Sequence, residues 1–163
     1  MITIRRFRRG DLPRILKIEQ ESFGVDAWPA DLFEEYAAVT PELFLVARAG
    51  LRVAGYSITS MVRHGAEIAS IAVLPQFRGR GVARRLLARS IRDVRSRGAA
   101  ALWLMVRRDN YPAIELYKRF GFVRTATVAG YYEDGATGWR MRLELGSGAG
   151  PWPAAGSQPA KQF

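Results

Sequence analysis

The sequence predicts a mixed α/β fold with its elements in the order β-α-α-β-β-β-α-β-α-β-β. Three observations carry this prediction. Apolar and polar residues alternate with period two in short runs such as "ITIRRF" and "RVAGYSITSMV", as half-buried strands require. Between Arg80 and Arg97 apolar residues recur near every 3.6 positions instead, the pattern of an amphipathic helix. Strand-like runs flank that helix on both sides, which makes those two strands parallel neighbours, while hairpin-like pairs toward either end predict antiparallel edges.

Each element has its own local reason. Ile2 to Phe7 alternates and is the first strand. Asp11 before Leu12 and Pro13 opens a helix that runs to about Phe23, because Asp caps well and Pro suits a first turn. Leu12, Ile15, Leu16 and Ile18 form its buried face. A short second helix is expected around Pro29 to Ala38. "ELFLVARA" and "RVAGYSITSMV" are two strands joined by a turn near Gly50, and Glu67 to Pro75 is the next strand, ended by its proline. The helix from Arg80 to Arg97 buries Val82, Leu86, Leu87, Ile91 and Val94, and Gly98 stops it. In the strand that follows, alternation puts Leu102, Leu104 and Val106 on one face and Trp103, Met105 and Arg107 on the other. Asn110 caps the last helix, Pro112 sits in its first turn and Gly121 ends it. Val123 to Ala129 and Thr137 to Leu145 are the closing strands.

A chain of 163 residues, 48% hydrophobic and 25% charged, is one globular domain of ordinary size. The domain is placed at residues 1–145. The Gly-, Pro-, Ala- and Ser-rich stretch 146–163 is read as a flexible tail, since it cannot bury enough apolar area to offset its ordering entropy. No run approaches the ~20 apolar residues that span a bilayer, and "MITIRRFRRG" has no signal-peptide core. A cytoplasmic location without a membrane partner is therefore expected. There is no cysteine and a single histidine, His64. Disulfides, thiolate chemistry and a His-rich metal centre are excluded, and no metal is expected. A net charge of +10 points to an anionic partner or to a solvated arginine surface. Nothing resembles a recognition helix or an aromatic nucleic-acid platform, so nucleic acid is not the expected partner.

The segment "IAVLPQFRGRGVARRLL" carries the chemistry. A strand ends, a loop with two glycines follows, and an amphipathic helix begins. The first helical turn leaves about four N–H groups without partners, and the helix dipole favours negative charge there. Glycine lets backbone approach a pyrophosphate closely, and Arg78, Arg80, Arg84 and Arg85 can add charge. The Walker string is absent, and after Gly79 and Gly81 the third glycine of a dinucleotide fingerprint is replaced by Arg84.

What remains, Arg78-x-x-Gly81-x-Ala83, resembles the acetyl-CoA signature of the GNAT N-acetyltransferases. "NYPAIELYKRFGF" is similar to that family's next helix, and the N-terminal strand–helix–helix order agrees with it. "LWLMVR" and "GYYEDGATGWRMRL" resemble the branch of the family that acetylates protein N-termini. The resemblance covers Met1 to about Leu145. It implies a central sheet whose parallel pair is splayed at the acetyl-CoA site. It also implies that Ile71, Ala72 and Val73 lie along the cofactor arm, with the Val73 N–H on the thioester carbonyl. The amides of Gly79, Arg80, Gly81, Val82, Ala83 and Arg84 would hold the pyrophosphate, with Arg78 alongside, and Asn110 would touch the cofactor.

On spacing alone Tyr117 reads as core; the resemblance implies that it protonates the leaving thiolate. Tyr131 and Tyr132 become substrate contacts, of which only one can line a groove if they sit on a strand. Where the branch carries a glutamate as general base, this chain has Met105, and a thioether does not accept a proton at neutral pH. Glu67, at the start of a central strand, is the substitute candidate, acting through water; Glu133 and Asp134 are alternatives for binding the substrate amine. The expected activity is acetyl transfer to an amine, preferably a protein N-terminal α-amine. Acetylation of lysine or a small amine, or a non-catalytic acyl-CoA-binding module, remain as alternatives. Oligomeric state is not readable from the sequence.

Overall fold

The computed structural model describes residues 1–146 and the backbone of residues 161–162. The strands are β1 (Ile2–Arg6), β2 (Phe44–Ala49), β3 (Arg52–Val62), β4 (Gly65–Val73), β5 (Ala101–Arg107), β6 (Val123–Val128), β7 (Gly138–Glu144) and β8 (Lys161–Gln162). The helices are α1 (Leu12–Phe23), α2 (Ala30–Val39), α3 (Val82–Ser96) and α4 (Tyr111–Arg119). Their order agrees with the sequence reading through β7. The expectation of a flexible tail falls on residues outside those described, apart from Lys161–Gln162, which form β8.

The sheet runs β1-β2-β3-β4-β5-β7-β6, with β8 added beside β4. All neighbours are antiparallel except β4 with β5 and β4 with β8. The parallel arrangement of β4 and β5 follows from the α3 crossover between them. Their ladder is short: only Ala66 with Leu102 and Glu67 with Trp103 are paired. On the other side of β4 the register against β3 slips by one residue, so that Ile58 opposes Ser70 while Thr59 opposes Ile68. This is a bulge at Ala69, the device that bends a strand and ends pairing. The turn of β4 away from β5 therefore has a local cause. Farther along, Gly55 is required by close approach: a Cβ there would lie 2.6 Å from the Ala72 carbonyl oxygen.

Alternation sorts β5 as the sequence predicts. Leu102, Leu104 and Val106 join the main core with Leu86, Leu87 and Tyr117. Trp103 and Met105 form a small separate cluster on the opposite face, against Val128 and Tyr131. Two details differ. The helix expected from Arg80 begins at Val82, because Gly79 and Gly81 take left-handed conformations with φ 71° and 78°. Asp11 holds the N-cap position of α1 as expected, but its side chain does not bond the helix. Its carboxylate accepts both terminal nitrogens of Arg5 at 2.7 Å and the Arg8 N–H at 2.8 Å, and a short 3-10 turn precedes α1.

Candidate active site

The end of β4 and the start of α3 form a glycine cradle. Gly81 is the N-cap of α3 and no side chain caps the helix. The Gly81 carbonyl accepts the Arg85 N–H at 3.1 Å, so the amides of Val82, Ala83 and Arg84 precede the first intrahelical bond. A Cβ at Gly79 or Gly81 would meet nothing within 4 Å; the left-handed backbone, not crowding, requires glycine there. The surrounding arginines do not all aim alike. Arg78 Nε donates to the Val73 carbonyl at 3.0 Å, bracing the exit of β4. The Arg80 guanidinium lies over the Phe77 ring. Arg85 donates to the Ile2 carbonyl at 2.8 Å. Arg84 is exposed. Arg89 pairs with Asp93 at 2.8 Å, as a solvated helix face would.

Beside the cradle opens a cleft of about 380 Å³ lined by Ser22, Phe23, Asp26, Arg78, Arg107, Asn110 and Pro112. Asn110 stands at the start of α4 and its side-chain oxygen accepts the Ala113 N–H at 3.3 Å. Two turns beyond Asn110, Tyr117 is fully buried, with its ring 5.6 Å from that of Phe122. Its hydroxyl has no hydrogen-bond partner among the described residues. An orphaned buried hydroxyl is costly unless a ligand atom satisfies it. Burial, with Tyr132 nearby, pushes the Tyr117 phenol well above its ordinary pKa. It therefore stays protonated near neutral pH and has a proton to donate.

Glu67 lies across the sheet from this group, on the face that carries Trp103, its paired neighbour on β5. Burial raises its carboxyl to about 7, opposed by the positive charge of Arg140. Arg140 opposes Met105 in the β5–β7 register, and its guanidinium lies 5.7 Å from the Trp103 ring centre. Tyr36 of α2 also feels the Glu67 charge. Met105 itself is fully buried. A Cβ on Gly138 would come within 2.9 Å of the Met105 methyl and 3.2 Å of the Tyr131 ring, so the thioether, Gly138 and Tyr131 pack as one unit.

Tyr131 and Tyr132 are on the loop between β6 and β7, not on a strand. The turn is closed by Gly135 N–H to the Tyr132 carbonyl at 2.8 Å and Tyr132 N–H to the Ala136 carbonyl at 3.2 Å. The two rings are perpendicular, 5.0 Å apart. Tyr131 packs on Met105 and Trp103, while Tyr132 is buried under the Arg107 guanidinium at 4.4 Å. Arg107 also donates to Asp134 at 2.8 Å and to Asp26 at 3.0 Å.

Sequence reasoning missed Asp26 and Arg140, and placed Arg107 only as a neighbour of Met105. It also missed Glu19, which is 1% exposed. Glu19 accepts the Trp28 N–H at 2.7 Å and the Tyr56 hydroxyl, and Tyr56 in turn contacts Ser70 Oγ at 3.0 Å. The available signal was Glu19 itself, one position beyond Ile18 on the inward face of α1. His64 is an exposed turn residue between β3 and β4. Among the described residues no group of three or more potential ligands is placed to hold a metal ion. No helix among them is long and apolar enough to cross a membrane.

A short parallel ladder beside a bulged strand, a glycine cradle at a helix start and a buried tyrosine with an unpartnered hydroxyl are the features of an acetyltransferase of the GNAT class. Residues 12–122 match the acetyltransferase (GNAT) family. The chain belongs to that family, whose acetyl donor is acetyl-CoA. It is 34% identical over 151 residues to the N-alpha-acetyltransferase RimI of Mycobacterium tuberculosis, covering 89% of this chain and 94% of that protein. The crystal structure of the ribosomal-protein-S18-alanine N-acetyltransferase from Escherichia coli superposes with a TM-score of 0.80 at 30% identity, over 94% of this chain and all of that one. An uncharacterized protein of Mycobacterium leprae is 35% identical over 149 residues, of which the chain spans 41% of the length.

Proposed function

We propose that this enzyme transfers acetyl to the α-amine at a protein N-terminus. The carrying observation is Glu67, a carboxyl raised to about 7 on the sheet face where Met105 leaves no other base. An α-ammonium has a pKa near 7.8 and a lysine near 10.4. Passing a proton to a group of about 7 is uphill by about 1.1 kcal/mol for the first and about 4.6 kcal/mol for the second. A base of this strength serves an α-amine and leaves a lysine largely protonated. RimI of M. tuberculosis and the E. coli S18-alanine enzyme, both named for N-terminal acetylation, support the same acceptor class.

The residues present suit acetyl-CoA. The backbone of Ile71, Ala72 and Val73 lies where β4 leaves β5, on the edge that β8 joins at Ser70 and Ile71. The amides of Gly79 to Arg84 suit a pyrophosphate, with Arg78 bracing β4 and Asn110 lining the adjoining cleft. When bound, the cofactor supplies an acetyl group activated as a thioester. Glu67 takes the proton from the acceptor ammonium, directly or through water. Tyr117 donates from its otherwise unpartnered hydroxyl to the departing sulfur. Tyr131 and Tyr132 flank the acceptor. A thiol-release assay tests the reading with free-N-terminal peptides, N-blocked lysine peptides and polyamines. Turnover is expected with the first group; turnover confined to the other two overturns the assignment.

A further inference from the structure

We propose that Arg107 is a positioning residue for the acceptor, clasping the α1–α2 connection to the β6–β7 loop that carries Tyr131 and Tyr132. This rests on the acceptor reading above. The observations are geometric. Arg107 is the last residue of β5 and shares its outward face with Trp103 and Met105. One guanidinium nitrogen reaches Asp26, in the connection between α1 and α2, at 3.0 Å. The other reaches both carboxylate oxygens of Asp134, in the β6–β7 loop, at 2.8 and 3.1 Å. The planar group lies over the Tyr132 ring at 4.4 Å. A single side chain on a rigid strand thus joins two loops that come from sequence positions 81 and 27 residues away.

Both loops have other anchors nearer their bases. Glu19 holds the Trp28 N–H, and Tyr131 packs on Met105. Asp26 and the 133–134 turn have the Arg107 fork as the link between them. A planar fork suits two carboxylates approaching from different directions, which a single ammonium serves less well. Loops that carry acceptor contacts must be ordered for the amine to meet the reacting carbon, and a misplacement of 1 Å can lower rate about 100-fold. Arg107 acts through these loops and is assigned no proton transfer.

The experiment compares wild type with Arg107→Gln, Arg107→Lys, Asp26→Asn and Asp134→Asn. Asp134 is exposed, so its variant folds even if Arg107→Gln does not. Steady-state constants are measured separately for peptide and acetyl-CoA, and amide hydrogen exchange is followed in residues 24–28 and 131–136. Arg107→Gln is expected to raise the peptide KM roughly 10- to 100-fold. The acetyl-CoA KM should rise by much less, although Arg107 lines the cleft shared with Asn110, and exchange should quicken in both loops together. Arg107→Lys should recover part of the loss, and each Asn variant should loosen its own loop and the opposite one. Equal effects on both substrates, or loosening of only the mutated loop, would overturn the clasp. If no peptide is turned over even by wild type, the acceptor reading fails, while the exchange data still decide whether one residue orders both loops.

Discussion

Glu67→Gln should separate a strained functional carboxylate from an ordinary surface one, because stability and activity move in opposite directions. The folded carboxyl sits at about 7 against an ordinary 4.5. Its folded pKa is raised, so the ionised form is disfavoured in the fold. Below about 4.5 the group is protonated in both folded and unfolded chains and contributes nothing to the difference. Between about 4.5 and about 7 the unfolded chain loses the proton first, and stability declines as pH rises. Above about 7 the full penalty is present. Two and a half pKa steps correspond to about 3.4 kcal/mol; partial exposure reduces this to about 1–2 kcal/mol. Removing the charge with an isosteric amide restores that amount. At pH 8.5 the variant should melt about 2–8 °C above wild type; at pH 4.5 the two should coincide. Over the same series kcat/KM for an N-terminal peptide should fall about 100-fold or more. Wild-type kcat/KM should rise through pH 7 as Glu67 loses its proton, and the variant should keep only the limb set by the substrate amine. Thermal scans and initial rates from pH 4.5 to 9 read both. Unchanged activity, or a Tm offset independent of pH, would refute the reasoning.

Tyr117→Phe removes a buried hydroxyl that has no partner among the described residues, so Tm should hold or rise while kcat falls about 100-fold or more; a large loss of Tm with kcat intact would count against the donor role. Gly55→Ala forces a Cβ to within 2.6 Å of the Ala72 carbonyl oxygen. It should destabilise by about 2–3 kcal/mol, or about 5–10 °C, and weaken acetyl-CoA binding measured by calorimetry, because the displaced strand is β4. A chain ending at residue 146 loses β8, which pairs with Ser70 and Ile71 on the β4 edge assigned above to the cofactor. Its acetyl-CoA KM should drop about two- to ten-fold relative to the full chain; an equal or higher value would show that β8 does not compete.

Much of this could be read before any coordinates, for reasons that vary with range. Alternation separated Met105 from Leu104 because the side-chain period of a strand is local. The Asn110 cap and the glycines before α3 were equally local, each satisfying donors or conformations within a few residues. Asp11 precedes α1 as its local signal indicates, but its carboxylate meets Arg5, a partner on the preceding strand that competes with the helix end. The Tyr131–Tyr132 pair falls between the two closing strands read from the sequence, and Gly130 and Gly135, both with positive φ, open the chain there into a loop. Glu67 stands out in the sequence by its position alone, and its raised pKa depends on burial that only the folded sheet creates. Arg107 could not be read at all, since its partners lie far off in sequence and only the closed fold sets them around one guanidinium.

The two-pair ladder between β4 and β5 makes a seam in the sheet. On one side lie β1 to β4, on the other β5 to β7, and the hydrogen bonds of Ala66–Leu102 and Glu67–Trp103 are the sheet's own stitching between them. A cofactor bound along that seam would act as a rivet. By mass action it adds about 2.7 kcal/mol of folding stability at a hundred times its dissociation constant. The enzyme's lifetime in a cell would then track the supply of its acetyl donor.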